Sequence, residues 1–304
     1  MIVALFAVAC VKEVENDFIE NKPPVVNAGS DSTYRLDISE NDTIRLSGSA
    51  SDSDGSVVGF TWTQISGPNT AKIHYPGSVS TAVSGVISGQ YTFQLMATDQ
   101  KGATGIKSVK ITVVAPPVLS ASYQPRNSNL EMHLGVVGNS NFSDAASPEL
   151  VAMAWTNNGT PTYFRALLKF DWSNIPATAR IKSAKLTLYS NPTPINGNGF
   201  DANYGENNAI LIQRVTSNWT VPVSWQTQPA GVATNQVVVP HTSQSRLDLV
   251  DVDVTNLVKD MRQSGNNGFL IKLQQEEIYT SRVFCSSKYS DAAKHPKLVV
   301  AYTN

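Results

Sequence analysis

The sequence predicts an all-β protein that contains two β-sandwich domains and one short helix. Short runs rich in Val, Ile, Thr and aromatic residues alternate with polar residues and end at Asp, Gly, Ser or Asn, which is typical of strands joined by turns. Proline pairs at Pro23–Pro24 and Pro116–Pro117 bracket a segment of the size of one small sandwich, and such pairs cannot continue a sheet. We therefore expect one domain over residues 23–116 and a larger one over residues 118–304.

The charge balance argues against a nucleic-acid partner. The 304 residues include 23 basic and 24 acidic ones, for a net charge of −1. The sequence has no cluster of Lys and Arg of the kind that nucleic acid requires. After Cys10, no segment is apolar over the ~20 residues needed to span a bilayer.

The first ten residues, MIVALFAVAC, form a short apolar run that ends at Cys10. Ala-Val-Ala-Cys resembles a bacterial lipobox, which implies cleavage before Cys10 and lipid attachment at that residue. The acidic stretch 11–22 resembles the tether of Bacteroidetes-type surface lipoproteins. No Lys or Arg precedes the apolar run, a departure that leaves the true start of translation open. The alternative is a buried strand that ends in an ordinary cysteine.

The first domain contains alternating runs that predict strands and place Trp62 in the core, where a large aromatic side chain fills a small sandwich. The motifs that carry a family resemblance occur in order: NAGSD, LSGSASDSDGSVVGFTWTQISGP and YTFQLMATDQKGATGIKSVKITV. They resemble a PKD domain of the variety whose central strand reads Trp-Thr-Gln. The resemblance implies an Ig-like β-sandwich that acts as a spacer or in adhesion.

Two turns of this domain carry carboxylates: Asp52 and Asp54 in SDSDG, and Asp99 in ATDQKG. Such oxygens are ligands that calcium prefers, although about six donors are needed for a complete site. In the alternative interpretation, these Asp side chains accept hydrogen bonds from turn amides. The sequence requires no cofactor, and calcium is a hypothesis at these three residues.

The second domain contains one stretch with helical periodicity, TNLVKDMRQSG. It has a predicted N-cap at Thr255, a stop at Gly265 and an apolar stripe of Leu257, Val258 and Met261. The remaining runs predict the strands of a jelly-roll sandwich: YFRALLKFDW, ARIKSAKLTLYS, AILIQRV, LVDVDV, GFLIKLQQ, RVFCSS and KLVVAYT.

Four segments of this domain resemble, in order, those of the DNRLRE family: RALLKFDWSNIPATARIKSAKLTLY, SNWTVPVSWQTQPA, VDVTNLVKDMRQSGNNGFLIKL and RVFCSSKYSDAAKHPKLVVAY. That family is related to the disaggregatase repeats and includes alginate-type carbohydrate-binding modules. The resemblance implies a jelly roll that binds carbohydrate. Val221 departs from the family, where many members carry an acidic residue after Trp-Thr.

The sequence gives little support for catalysis. Its four histidines lack the spacing of metal ligands. Glu276 and Glu277 are neighbours on a predicted strand and point to opposite faces. Nucleophile elbows, phosphate loops and dinucleotide fingerprints are absent from the sequence. Cys285 has no base beside it and is predicted to be a buried, inert thiol. We therefore predict that the protein is not an enzyme.

Glycan binding needs aromatic platforms beside amides or carboxylates. Candidates occur in two Gly/Asn-rich stretches where no core period requires them, AWTNNGTPTYF and NGNGFDANYGENN: Trp155, Asn157, Asn158, Phe200 and Tyr204. Packing is an equal alternative for Trp155 and Tyr204. For Trp172, Trp219 and Trp225, core packing is the expectation.

These observations predict an outer-membrane, cell-surface lipoprotein that captures polysaccharide without cleaving it. The C-terminal domain would bind, the PKD domain would act as a spacer, and the lipid would be the only membrane contact. One alternative is a structural or adhesive surface protein with a protein or matrix partner, and another is a polysaccharide-degrading enzyme. An exposed aromatic face would favour glycan binding, whereas a deep cleft with facing carboxylates would favour the enzyme.

Overall fold

The computed structural model describes residues 20–36, 43–125 and 130–304. The chain divides into two compact units between Pro116 and Pro117. Both are built from β-strands, and the described residues include one short α-helix, so the predicted fold class is confirmed. No helix within the described ranges is long and apolar enough to cross a membrane. Cys10 and most of the predicted tether lie outside the described residues.

The described part of the N-terminal unit contains nine strands. They are β1 (Val25–Asn27), β2 (Ser32–Arg35), β3 (Thr43–Ser47), β4 (Ser49–Ser51), β5 (Val57–Ser66), β6 (Lys72–Ile73), β7 (Ser80–Ser84), β8 (Gly89–Asp99) and β9 (Thr104–Val114).

These strands form a sandwich around one core. One sheet has the order β2-β9-β8-β5, another the order β3-β7-β6, and β1 pairs with β4. Alternation along β8 buries Tyr91, Phe93 and Leu95 between the sheets, as expected for strands with one covered face. Trp62 on β5 is 2% exposed and joins the same core, which confirms its predicted position.

The C-terminal unit is larger and contains the helix. Its described elements are β10 (Leu119–Tyr123), β11 (Glu131–Val137), β12 (Ser140–Asp144), β13 (Glu149–Asn157), β14 (Thr160–Leu168), β15 (Arg180–Leu188), β16 (Asn203–Tyr204), β17 (Ile210–Val215), β18 (Gly231–Val239), β19 (Leu249–Asp253), α1 (Thr255–Ser264), β20 (Phe269–Leu273), β21 (Thr280–Cys285), a 3₁₀ turn (Ala292–Lys294) and β22 (Lys297–Thr303).

The described residues of this unit form two sheets. The smaller one has the order β10-β22-β15-β19, and the larger one follows the path β16-β21-β13-β14-β20-β17-β18, with β11 paired to β14 and β12 to β11. The main core includes Leu186 and Leu298 of the smaller sheet and Leu150 and Phe284 of the larger one. A second cluster contains Val151, Met153, Phe164, Ala202 and Val283, with Trp155 packed against it.

Helix α1 packs its apolar stripe into the main core. Leu257, Val258 and Met261 are buried, which confirms the predicted stripe, and Gly265 ends the helix with φ at +103°. The predicted N-cap was wrong: Val254 is the cap residue. The Thr255 hydroxyl instead accepts a hydrogen bond from the Ala184 amide at 2.9 Å and so ties the helix to β15.

Candidate functional site

Strand pairing in the larger sheet brings three aromatic side chains together, which we call the aromatic cluster: Trp155, Tyr204 and Tyr279. Ala154 of β13 pairs with Thr280 of β21, and Tyr204 of β16 pairs with Ser281. The Trp155 ring centroid lies 5.4 Å from that of Tyr204 and 5.2 Å from that of Tyr279, both in edge-on geometry. Such T-shaped pairs are favoured by the ring quadrupoles.

The cluster is rigid on one side and open on the other. Trp155 packs against the buried cluster of Met153 and Phe164, whereas Tyr204 is 40% exposed and Tyr279 is 53% exposed. The packing and binding interpretations of Trp155 are therefore compatible. The two tyrosines border an open cleft of about 400 Å³ that is lined by Tyr204, Gly205, Glu206, Glu277, Ile278, Tyr279 and Thr280.

The backbone around the cleft adopts conformations that few residues tolerate. Tyr279 has φ at +68°, in the left-handed region that a bulky residue rarely adopts. Gly205 has φ at +88°, and a Cβ atom there would lie 2.6 Å from the carbonyl oxygen of Tyr279. Strained residues cluster at functional sites because the surrounding structure must hold them. Here the strain presents an exposed aromatic ring beside Trp155.

The sequence prediction missed Tyr279. Its signal was an aromatic residue in the short polar connection between two predicted strands, two positions after Glu277. Its proximity to Trp155 depends on the pairing of β13 with β21, which are separated by more than 120 positions, and local alternation carries no information about that pairing.

A buried carboxylate holds the loop that covers the second cluster. Glu149 is 1% exposed and accepts hydrogen bonds from the Asn191 side chain at 2.6 Å and the Ile195 amide at 2.6 Å. The Asn196 side chain donates to it at 2.7 Å, and the Asn196 amide at 3.2 Å. A carboxylate has the acceptor capacity for all four. Phe200, farther along this loop, is 78% exposed.

Asn157 and Asn158 lie at the hairpin that joins β13 to β14. Asn157 pairs with Thr160, and Asn158 and Gly159 both have positive φ, at +47° and +78°. Asn and Gly favour these conformations, which match the twist of a two-residue hairpin. Asn158 therefore has a structural role in the turn. Asn157 is exposed two residues after Trp155 and on the same face of the strand.

An arginine anchors the connection that carries Tyr279. Arg165 makes a two-pronged ion pair with Glu276, at 2.7 and 3.0 Å, and its guanidinium lies 4.3 Å from the centre of the Trp225 ring. Gln228 accepts a further hydrogen bond from Arg165 at 3.2 Å. Trp225 is only partly buried, whereas Trp172 and Trp219 are in the core as predicted.

Two ionisable side chains of β21, Arg282 and Cys285, do not line the cleft. Arg282 is fully buried and pairs with Ala152 of the main core; burial lowers the pKa of its guanidinium to about 10. Cys285 is a free, fully buried thiol. Burial raises its pKa to about 12, and a thiol that stays protonated is a poor nucleophile.

The three aspartates of the calcium hypothesis lie in two turns of the N-terminal unit, which the 3.8 Å contact of Lys101 with Asp54 links. Within the described ranges, no group of three or more His, Cys, Asp or Glu side chains is placed to hold a metal ion. Asp99 is buried, and its carboxylate accepts hydrogen bonds from the amides of Lys101 at 2.8 Å and Ala103 at 2.9 Å. Asp99 therefore acts as a turn residue. Buried oxygens of Asp52 and Asp54 lack a hydrogen-bond donor, and calcium binding there stays a prediction.

Two protein-family models match the chain. The "K319L-like, PKD domain" model matches residues 28–113, and the "Carbohydrate-binding module family 96" model matches residues 137–302. The predicted PKD domain and the predicted carbohydrate-binding character of the second domain are confirmed at this level. Neither matched domain is a catalytic one. The narrower DNRLRE resemblance stays a prediction.

Two sequence relatives each match about a third of this chain. The chain is 33% identical over 93 residues to the mouse dyslexia-associated protein KIAA0319-like protein, a match that covers 31% of this chain and 9% of the relative. It is 33% identical over 99 residues to mouse low-density lipoprotein receptor-related protein 11, covering 32% of this chain and 20% of the relative. The chain thus spans only a small part of these relatives. The solution structure of the PKD domain from KIAA 1837 protein is 27% identical, with a TM-score of 0.26, and the match covers 30% of this chain and 85% of that one.

Proposed function

Because the chain belongs to carbohydrate-binding module family 96, we propose that it captures polysaccharide without cleaving it, through the aromatic cluster. The observation that carries the proposal is the edge-on packing of Trp155 with Tyr204 and Tyr279, which leaves both tyrosine rings partly exposed over a cleft. Sugar rings present C–H groups on their faces, and a fixed aromatic ring offers a complementary apolar surface. Polar groups around such a platform select the hydroxyl pattern.

The cluster has the preorganisation that weak glycan binding needs. Trp155 is fixed by the buried residues beneath it, and the Arg165–Glu276 pair fixes the connection that carries Tyr279. Little side-chain freedom would be lost on binding, and that loss is a main cost of association. Many copies acting on one polymer would add avidity to a weak single site.

In the same proposal, Cys10 carries a lipid that anchors the protein at the outer membrane, and the PKD domain is the spacer between anchor and binding module. The Ala-Val-Ala-Cys pattern and the order of the domains along the chain support this part. Lipidation is tested by the mass of the Cys10 peptide from the expressing cell and by release of a Cys10→Ala variant from membranes. An unmodified Cys10 peptide would contradict the proposed lipid anchor but not the proposed glycan binding.

Affinity electrophoresis of the full chain tests glycan capture. Gels would contain alginate, pectin, xylan or mannan, each with and without a calcium chelator. We expect retardation in at least one gel. The Tyr204→Ala/Tyr279→Asn double variant should lose most of it, because it removes both exposed rings of the platform.

Tyr75 supplies a matched control. It is 68% exposed and lies in the N-terminal unit, so Tyr75→Ala removes an exposed ring away from the cluster. Retardation should be unchanged by this substitution. Free migration of the wild-type chain in every gel would overturn the proposal, and equal losses in both variants would overturn the assignment to the aromatic cluster.

A further inference from the structure

We infer that the binding surface continues from the aromatic cluster onto the loop that carries Phe200, and that it binds an extended run of several sugar residues within a polysaccharide chain. This inference rests on the proposed glycan capture and names the form of the glycan. The observation behind it is an exposed ring on an ordered loop outside the cleft. Phe200 is 78% exposed, and it is not among the residues that line the cleft.

The backbone of Phe200 is held on both sides. Its amide donates a hydrogen bond to the Asn198 side chain at 2.9 Å, and its carbonyl oxygen accepts one from Arg246 at 3.2 Å. The Glu149 carboxylate holds the first part of the same loop through the Ile195 amide, at 2.6 Å. The loop therefore fixes the backbone that carries the ring, and a preorganised contact loses less entropy on binding.

This loop lies on the same face of the larger sheet as the aromatic cluster. A Cβ atom added at Gly197 would lie 2.8 Å from the Ser281 hydroxyl oxygen. Ser281 is the strand partner of Tyr204, and the side chains of directly paired residues share one face of a sheet. Ala202, at the end of the loop, belongs to the buried cluster against which Trp155 packs. The loop and the aromatic cluster are therefore parts of one surface.

Chain geometry limits the distance between the two exposed parts of this surface. Phe200 precedes Tyr204 by four residues, so their Cα atoms lie at most about 14 Å apart. Among the described residues, no ring contact joins Phe200 to the aromatic cluster. A single sugar ring, about as wide as one aromatic ring, would contact one part only. A short run of linked sugars would contact both.

Large apolar side chains are concentrated on this surface. Phe200 and Ile195, at 78% and 72%, are the two most exposed ones described in the C-terminal unit, and Tyr204 and Tyr279 are also exposed. Single exposed apolar residues need no explanation, whereas a group of them marks an interaction surface. An extended polysaccharide fits this surface, because the chain belongs to carbohydrate-binding module family 96.

Affinities for oligosaccharides of increasing length test the inference with the full chain. Dimers, tetramers, hexamers and octamers prepared from alginate, pectin, xylan and mannan would be titrated by calorimetry, beside gels of the parent polymers. For each polymer that retards the chain, we expect the affinity to rise at least about tenfold from dimer to hexamer. Covering about 60 Å² of apolar ring surface, roughly one face of a phenylalanine ring, corresponds to about this factor.

The Phe200→Ala variant should lose most of this rise. Its affinity for the dimer should stay within about twofold of wild type, and its melting temperature should not change, because the side chain is exposed. Val250→Ala is the matched control. Val250 is 63% exposed and lies on β19 of the smaller sheet, so this substitution should leave the affinities for all lengths unchanged.

Dimers that bind as tightly as hexamers would contradict the inference but not the proposed glycan binding. The same conclusion would follow if a polymer retarded the chain while its octamers did not bind, since avidity alone would then explain the retardation. A rise that persists in Phe200→Ala would overturn the assignment to this loop. If neither polymers nor oligosaccharides bind, the proposed function fails and the inference with it.

Discussion

The two units each place a tryptophan on a strand of a β-sandwich, but the surroundings of the two rings differ. Trp62 is 2% exposed, packs among the core residues of the N-terminal unit, and its ring nitrogen donates to the Val79 carbonyl at 3.4 Å. Trp155 is only partly buried, with two exposed tyrosines edge-on to it. The ring of Trp62 is enclosed by its domain, whereas the ring of Trp155 lies beside two tyrosines that line a cleft. Trp62 therefore stabilises the fold, and Trp155 supports the surface to which the proposed function assigns recognition.

The largest expected effect tests this division directly. Trp62→Ala should destabilise the N-terminal unit by about 3–5 kcal/mol, the range for removing a buried aromatic side chain. Trp155→Ala should cost the C-terminal unit about half of that or less, because part of its surface already contacts water. Urea unfolding of the full chain, followed by circular dichroism and tryptophan fluorescence, measures both. Equal losses of stability would contradict the comparison.

Substitution of Glu149 should have the next largest effect on the free energy of unfolding. This carboxylate holds the loop that contains Asn191 and Asn196. In Glu149→Gln, one acceptor oxygen becomes a donor that faces other donors, such as the Asn196 side chain. Leaving buried polar groups unmatched costs about 1–3 kcal/mol. The loss should appear in urea unfolding, and amide exchange should accelerate between Asn191 and Ala202.

The exposed Glu206 is the control for that substitution, because Glu206→Gln changes the same functional group without a buried hydrogen bond. Its stability should stay within about 0.5 kcal/mol of wild type. A Glu149→Gln protein as stable as Glu206→Gln would mean that the loop is held by other contacts.

Sequence reasoning predicted the parts of the molecule that depend on local pattern. Alternation placed Trp62 in the core, and the 3.6-residue period placed Leu257 in the buried stripe of α1. Sequence reasoning failed where the role of a side chain depends on a residue far away in the sequence. Thr255 bonds to the Ala184 amide of β15, and Tyr279 reaches Trp155 through strand pairing.

The same distinction applies to the candidate site. Trp155 and Tyr204 were identified because they occur in Gly- and Asn-rich stretches, where no pattern of apolar residues predicts that an aromatic side chain is buried. Whether they are neighbours could not be derived, since β13 and β16 are joined only through β21. The charge of the cleft also follows from tertiary contacts: Glu276 is neutralised by Arg165, whereas its sequence neighbour Glu277 is not.

A buried histidine gives the C-terminal unit a pH dependence. His133 is 2% exposed and packs beside the rings of Phe142 and Phe164. Burial lowers its pKa in the folded chain, against a smaller opposite effect of its hydrogen bond to the Glu149 carbonyl. Below pH ~6.5 the unfolded chain takes up a proton that the folded chain resists. Stability should therefore fall as the pH drops below ~6.5, by at most about 1.4 kcal/mol per pH unit.

The measurement is urea unfolding from pH 7.5 to pH 5, for wild type and His133→Gln. The difference between the two curves isolates this residue, because the other titrating groups are common to both. A difference that stays constant over this range would show that His133 does not resist protonation in the folded state.

The smallest expected change in stability comes from the pair that positions Tyr279. Arg165 and Glu276 have side chains that are 20% and 25% exposed, and partly exposed ion pairs contribute about 0–1 kcal/mol. Glu276→Gln should leave the melting temperature nearly unchanged. It should nevertheless weaken glycan retardation severalfold, since the connection that carries Tyr279 loses its two-pronged anchor and the ring loses its fixed position beside Trp155.

Lys185→Gln is the control, because it breaks another 2.7 Å ion pair, with Asp253, in the same unit. This substitution should leave retardation intact. Normal retardation by Glu276→Gln would mean that the ion pair is not needed to position Tyr279. The Trp155 ring would then hold Tyr279 in place without it.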